Sequence, residues 1–266
     1  LLRSGKAATE ESMNKSNIFY QDQKIYTYDC LQNYCASPVS VLNYFQEIAL
    51  EHSAALKAGP YELDRMHLAW IVVKYHIEII DYPKFLQTVR VGTWAGAAQG
   101  FIANRGFVLE DEDGKTMVKG QSHWMMMDFD KDHIVRVGDN EINNVYQFKE
   151  DGDKYRIPRL KRVADWDSHR QFAVRYLDID YNGHVNNVRY LAWAFEAIPA
   201  DLISKVEVAD FDILYKEQAK FGDVVTVCYK KTDDTHCRMD IQNQDGLLLC
   251  QIGMTLRPAS QKPNHE

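Results

Sequence analysis

One structural plan runs through this chain twice, and that repetition restricts the fold more than any single motif. From Ser37, the run SPVSVLNYFQEIALEHSAALKAGP offers a serine N-cap, proline at the first helical position and a Gly59-Pro60 stop. Val41, Phe45, Ile48 and His52 recur at helical spacing, which predicts a long helix with one apolar face. Strand-like runs follow: WIVVKYHIEII, TVRVGTW, GFIANRGFVLED, an Asp113-Gly114 turn and TMVKGQSHWMMMD. The second half has strand-like QFAVRYL and an apolar helix from Val188 to Ile198. FDILYKE, VVTVCYKK, CRMDIQNQ, an Asp245-Gly246 turn and LLLCQIGMTLRP complete it. DYPKF (Asp81 to Phe85) stands before one β run as EQAKF (Glu217 to Phe221) stands before the other. A helix followed by several long strands, twice, predicts α+β modules in which each sheet wraps its own helix. In the second helix Val188, Leu191, Ala192 and Phe195 mark one face, yet Tyr190, Trp193 and Ala194 are apolar too, which predicts burial nearly all round.

Size agrees with two modules: 266 residues, 45% of them hydrophobic, supply a core for each. The expected layout is an arm over 1–17, a first module over 18–145, a linker over 146–163 and a second module over 164–266. The linker is polar, contains proline and has no periodicity. The arm lacks the apolar segment of a signal peptide, and Met13 is a candidate native start. A net charge of −7 argues against a nucleic-acid-binding protein. No apolar run approaches the roughly 20 residues of a membrane span. Five cysteines without a CxxC pair read as reduced thiols in a cytoplasmic setting. The nine histidines show no HExxH and no metal spacing, so no metal and no cofactor are expected. His67, His76 and His123 read as core or surface residues, and Met125 to Met127 as strand core.

Asp180, Asn182 and His184 lie just before the buried second helix, whose first turn carries unpaired N–H groups and the positive end of its dipole. One reading is a capping residue, Asp180 or Asn182, with Asn186 and Asn187 shaping the turn. But a cap needs one oxygen, whereas here a carboxylate, three amides and an imidazole fall within eight residues. Such a place suits a polarised carbonyl or an anion. Further on, Phe211, Ile213 and Tyr215 share a strand face by period two, and Glu217 falls on that face if the strand reaches it. If the strand stops at Tyr215, Glu217 is solvated.

DIDYNGHVNNVRYLAW closely resembles the D-x-N-x-H-V-N-N motif of plant and bacterial acyl-acyl-carrier-protein thioesterases, and LYKEQ resembles their second active-site segment. WIVVKYHIEIIDYP, VRVGTW and HWMMMD are similar to that family's first domain. The resemblance implies a tandem (double) hotdog fold, each module a curled antiparallel sheet around a long helix. It implies Asp180, Asn182, His184 and Glu217 as the catalytic set, an acyl pocket largely in the first module, and catalysis from the second. Hydrolysis of a fatty acyl-carrier-protein thioester to free fatty acid is the expected reaction, with acyl carrier protein as partner. The chemistry assigns His184 and Glu217 jointly to activating water, worth roughly 10²–10⁴-fold. Asn182 would steady the oxyanion, worth about 10²–10³-fold, and Asp180 would hold the network in register.

Two departures sharpen this. Many plant relatives carry a cysteine directly after the glutamate, where this chain has Gln218, which favours water over a thiol. Superposing Glu47 on Glu196 sets Leu31, Asn33 and Cys35 where Asp180, Asn182 and His184 stand, so the first module should be catalytically dead. Lys154, Arg156, Arg159, Lys161 and Arg162 make the linker either a solvated segment or a docking patch for an acidic carrier. The alternatives are a silent acyl-binding hotdog protein and an acyl-CoA thioesterase. A homodimer is left open.

Overall fold

The computed structural model describes residues 18–137, 145–146, 159–161 and 163–259. The arm, Lys154, Arg156 and Arg162 therefore lie outside the described residues. The chain divides into two compact units, one of Leu1–Val73 with Ile80–Arg156, the other of Lys74–Ile79 with Ile157–Glu266. In the first unit the helix α1 (Pro38–Ala55) follows strand β1 (Phe19–Lys24). After it come β2 (Leu68–Ile79), whose Lys74–Ile79 half is counted with the second unit, β3 (Thr88–Gln99), β4 (Ile102–Glu110) and β5 (Thr116–Asp128), hydrogen-bonded in the order β1-β3-β4-β5-β2, with the short β6 (His133–Val135) on β5. In the second unit β7 (Ser168–Ala173) precedes helix α2 (Asn187–Ala197). β8 (Val206–Tyr215), β9 (Val224–Lys231), β10 (His236–Gln242) and β11 (Leu248–Pro258) then pair as β7-β9-β10-β11-β8. The two orders are the same, strand for strand. Each unit is a hotdog module, an antiparallel sheet with one long helix against it.

The local chemistry explains the helices. Ser37 Oγ accepts the Ser40 N–H at 3.0 Å, and Pro38 opens α1, as expected; such a cap is worth about 1 kcal/mol. Gly59-Pro60 does not end α1, which stops at Ala55; Pro60 starts a separate short helix, Pro60–Arg65. Val41, Leu42, Phe45, Ile48 and Ala49 are buried, and the Phe45 ring stacks on Phe107 with centroids 4.8 Å apart. Gly120 makes this approach feasible, because a Cβ there would meet the Phe45 ring at 2.7 Å. In α2 the buried set is Val188, Tyr190, Leu191, Trp193, Ala194 and Ala197, while Ala192 and Phe195 are half-buried. His67 pairs with Asp130 at 2.6 Å at the surface and His76 with Asp212 at 2.9 Å. Met126 is buried in the core of the first unit.

Candidate active site

In the second unit the chain leaves β7 through a 3-10 turn, Tyr176–Asp178, and enters a short loop closed by an Ile179–Val185 bridge. The loop is held by the Asp180 N–H on the His184 carbonyl (2.8 Å) and the Gly183 N–H on the Asp180 carbonyl (3.0 Å). Gly183 has φ +76°, a conformation that side chains disfavour. The Asp180 carboxylate accepts the N–H groups of Asn182 (2.8 Å) and His184 (3.3 Å) through one oxygen. It therefore fixes the two residues on either side of Gly183. Neither Asp180 nor Asn182 caps α2; Asn186 does, accepting the Val188 N–H at 2.9 Å. That leaves the Asn182 amide exposed and the His184 imidazole half-buried at the start of the helix.

Glu217 arrives differently. β8 ends at Tyr215, so the alternation that would turn Glu217 inward stops two residues short, and its carboxylate is exposed. The Lys216 and Glu217 N–H groups share the Leu249 carbonyl at 2.8 and 3.2 Å. Two phenols bind this segment to the first turn of α2. The Tyr215 hydroxyl donates to the Asn187 carbonyl at 3.0 Å, and the Ala219 N–H donates to the Tyr190 hydroxyl at 2.8 Å. The two rings meet edge to face at 5.8 Å. Burial pushes both phenols above the usual tyrosine range, so they stay neutral. Among the described residues there is no direct His184–Glu217 hydrogen bond. Asp180, Asn182 and His184 share one loop, and Glu217 is carried on a second loop tied to the same helix. Tyr190 and Tyr215 escaped sequence reasoning because both fit the apolar pattern; only their hydroxyls hinted at more.

The first unit repeats this architecture 149 residues earlier, the offset between Glu47 and Glu196. The Leu31 N–H meets the Cys35 carbonyl at 2.9 Å and the Tyr34 N–H the Leu31 carbonyl at 3.0 Å, matching Asp180–His184 and Gly183–Asp180. Ser37 caps α1 where Asn186 caps α2. Asn33 is not a cap: its Oδ1 accepts the Cys35 N–H at 3.1 Å, steadying the loop where no Asp180 equivalent exists. Asp81 matches Glu217, since the Ile80 and Asp81 N–H groups share the Met117 carbonyl at 2.9 and 3.0 Å. Leu31 and Cys35 occupy the places of Asp180 and His184.

The first unit also holds a pocket of about 430 Å³, open mouth included, walled by Trp70, Trp124, Ala95, Ala103, Ala49 and Leu50. Its polar wall is buried. Arg105 Nη1 lies 3.0 Å from His52 Nδ1 and 3.3 Å from Thr93 Oγ1, and the Tyr146 hydroxyl donates to Ser53 Oγ at 2.9 Å. Burial, with the Arg105 charge beside it, pushes the His52 pKa down to about 4, so a neutral imidazole accepts from the guanidinium. Among the described residues no three His, Cys, Asp or Glu side chains gather into a metal-sized cluster. Among the described residues no helix is long and apolar enough to cross a membrane.

Comparison with known proteins agrees with the tandem fold. The acyl-ACP thioesterase N-terminal domain matches residues 16–146, and the acyl-ACP thioesterase C-terminal domain matches residues 161–258. The chain is 25% identical over 232 residues to oleoyl-acyl carrier protein thioesterase 1, chloroplastic, of Arabidopsis thaliana, covering 80% of this chain and 64% of that protein. It thus spans less than two thirds of that relative's length. The fold matches an acyl-ACP thioesterase from Bacteroides thetaiotaomicron (TM-score 0.82, 19% identity) and a 12:0-ACP thioesterase from Umbellularia californica (TM-score 0.82, 22% identity). Each match covers 91% of this chain and 98% of the other. With both domains matched across most of its length, the chain belongs to the acyl-ACP thioesterase family.

Proposed function

We propose that this protein hydrolyses the thioester of fatty acyl-carrier protein, releasing free fatty acid. The observation that carries the reading is the asymmetry of the repeat. One loop frame serves both units, but only the second fills it with Asp180, Asn182 and His184. His184 and Glu217 together take a proton from water as its oxygen attacks the carbonyl carbon. Asn182 holds the thioester and steadies the oxyanion, while Asp180 keeps the loop in shape. The oxyanion then collapses, the carbon–sulfur bond breaks, and the proton passes to the leaving thiolate. Catalysis belongs to the module over 164–266, and the pocket of the module over 18–145 suits an apolar acyl chain. The exposed Arg159 and Lys161 of the intervening linker favour contact with an acidic carrier.

Water, not a thiol, is the nucleophile in this reading. Gln218 cannot attack, and burial raises the thiols of Cys228, Cys237 and Cys250, Cys237 to about 12, away from the reactive thiolate. Five free cysteines fit a reducing, cytoplasm-like compartment. Sedimentation against the 30.8 kDa chain mass distinguishes a monomer from a homodimer. The central experiment measures fatty-acid release from acyl-carrier proteins. His184→Ala and Glu217→Ala should each lower turnover by about 10²-fold or more with unfolding still cooperative. Near-normal turnover in either variant removes that residue from the catalytic set.

A further inference from the structure

Asp178 is wholly buried directly before the catalytic loop, and two arginines converge on it. Arg175 reaches it through its backbone N–H at 2.9 Å and through Nε and Nη2 at 3.4 Å. Arg189 lies on the other side, Nε 3.5 Å from the carboxylate, and its Nη2 donates to the Leu177 carbonyl at 3.4 Å. One carboxylate between two guanidinium groups leaves one positive charge in excess. The side chains are 73% and 42% exposed, so that charge faces solvent.

The plain explanation is that the arginines exist to neutralise a buried carboxylate. The repeat tests it. Asp29 stands at the same place in the first unit, is 7% exposed, and accepts the Tyr26 N–H at 2.8 Å as Asp178 accepts that of Arg175. The Ser37 N–H meets the Asp29 carbonyl at 2.8 Å, and the Asn186 N–H meets the Asp178 carbonyl at 2.8 Å. Yet the two arginine positions carry Tyr26 and Ser40. In the first unit the Tyr44 phenol stands beside Asp29, and its counterpart in the second unit is Trp193, which has no hydroxyl. One neutral hydroxyl suffices there, whereas the second unit sets two full positive charges on its single carboxylate, and the excess charge is what that unit adds. That unit alone has the polar loop.

We propose that Arg175 and Arg189 seat the phosphodiester of the carrier's phosphopantetheine arm, an inference that rests on the hydrolysis of carrier-bound thioesters. Paired guanidinium forks suit a tetrahedral phosphate oxyanion, and exposed N–H groups remain on both. Between Arg175 and Asp178 stand Tyr176 and Leu177, 78% and 80% exposed, with the Tyr176 ring edge-on to Phe221 at 6.2 Å. They form an apolar shelf beside the fork, suited to the dimethyl portion of the same arm. The fork holds the anion, and the loop that follows it takes the thioester.

The test installs the first unit's own solution, Arg175→Tyr with Arg189→Ser, and repeats it with Arg175→Gln and Arg189→Gln should the first pair fail to unfold cooperatively. Calorimetry should show the unaltered protein binding 4′-phosphopantetheine more tightly than pantetheine, with that preference lost in the variants. The ratio of kcat/KM for an acyl-phosphopantetheine thioester to that for the phosphate-free acyl-pantetheine should fall about ten- to a hundredfold. Equal binding of the two ligands by the unaltered protein overturns the seat, as does an equal loss on both thioesters. A loss confined to carrier-bound substrate assigns the arginines to the carrier's acidic surface and also overturns it. A protein that hydrolyses no thioester yet still prefers phosphopantetheine sinks the hydrolysis reading and leaves the anion seat standing.

Discussion

The Ala219 backbone N–H donates to the Tyr190 hydroxyl at 2.8 Å, which fixes the chain two residues beyond Glu217 to the helix that starts behind His184. Two residues before Glu217, the Tyr215 hydroxyl holds the Asn187 carbonyl at 3.0 Å. The glutamate is bracketed on both sides by bonds to one helical turn. Its carboxylate is left exposed while its backbone is fixed, an arrangement suited to a group that must meet a substrate.

Tyr190→Phe should therefore lower kcat by roughly tenfold with a smaller change in KM, since it loosens a positioned group and leaves substrate contacts in place. Stability should fall by about 1–3 kcal/mol, because the Ala219 N–H loses its partner in a buried site. The discriminating measurement is a double-mutant cycle. In a Glu217→Ala background, Tyr190→Phe should cost little further turnover. Fully additive losses would mean that Tyr190 acts on catalysis without Glu217.

His52 supplies a pH dependence that does not involve the Asp180–His184 loop. Its folded pKa of about 4 lies below the unfolded value of 6.5, so the native state resists a proton that the unfolded chain accepts. The contribution is fully present above the unfolded pKa and is lost as pH falls from about 6.5 towards 4. At pH 5 the loss amounts to about 2 kcal/mol. Denaturant titrations at pH 7.5 and pH 5 on the parent and on His52→Gln check it: the variant should show the shallower fall. Parallel falls in the two proteins would place the pH sensitivity elsewhere.

Sequence reasoning reached the fold because two periodicities recur in the same order, and burying both kinds of apolar surface leaves few architectures. It reached the loop because Asp180, Asn182 and His184 are too polar a set to stand before a helix as apolar as α2. Glu217 was harder to read. Alternation through Phe211, Ile213 and Tyr215 carries no mark of where pairing ends, and β8 ends at Tyr215. The tyrosine brackets were unreadable for another reason. A buried tyrosine and a buried phenylalanine give the same apolar pattern, and the hydroxyl's partners here are backbone groups, which no side-chain pattern encodes. The boundary of α1 failed similarly: Gly59-Pro60 signals a break, but the helix had already ended at Ala55, and the proline opens the next one.

The first unit's loop offers its own check. Cys35→Ala should leave turnover within a few-fold, because Leu31 and Cys35 replace the carboxylate and imidazole there. Asn33→Ala removes the acceptor of the Cys35 N–H and should cost about 1 kcal/mol of stability with little effect on kcat. Fatty-acid release and thermal unfolding on the same preparations separate the two effects. A turnover loss in Cys35→Ala comparable to that of His184→Ala would show that the first unit shares the chemistry.

The choice between water and thiol can be settled by removing every thiol. Cys228, Cys237 and Cys250 are buried in strands β9, β10 and β11, and burial holds their thiols protonated. Cys30 and Cys35 lie in the first unit's loop, and burial with the neighbouring Asp29 charge raises the Cys30 thiol as well. None of these is the residue after Glu217, where Gln218 stands. A variant with all five replaced by alanine or serine should keep most of its turnover. Replacing the three buried thiols costs some packing, so cooperative unfolding must be shown first. Incorporation of labelled oxygen from water into the fatty acid does not discriminate, because water also opens an acyl-enzyme. Rapid quenching and intact-mass measurement do: the parent protein should show no acyl adduct with slow substrates. If the cysteine-free protein folds but releases no fatty acid, or if the parent accumulates an acyl thioester, direct attack by water is wrong.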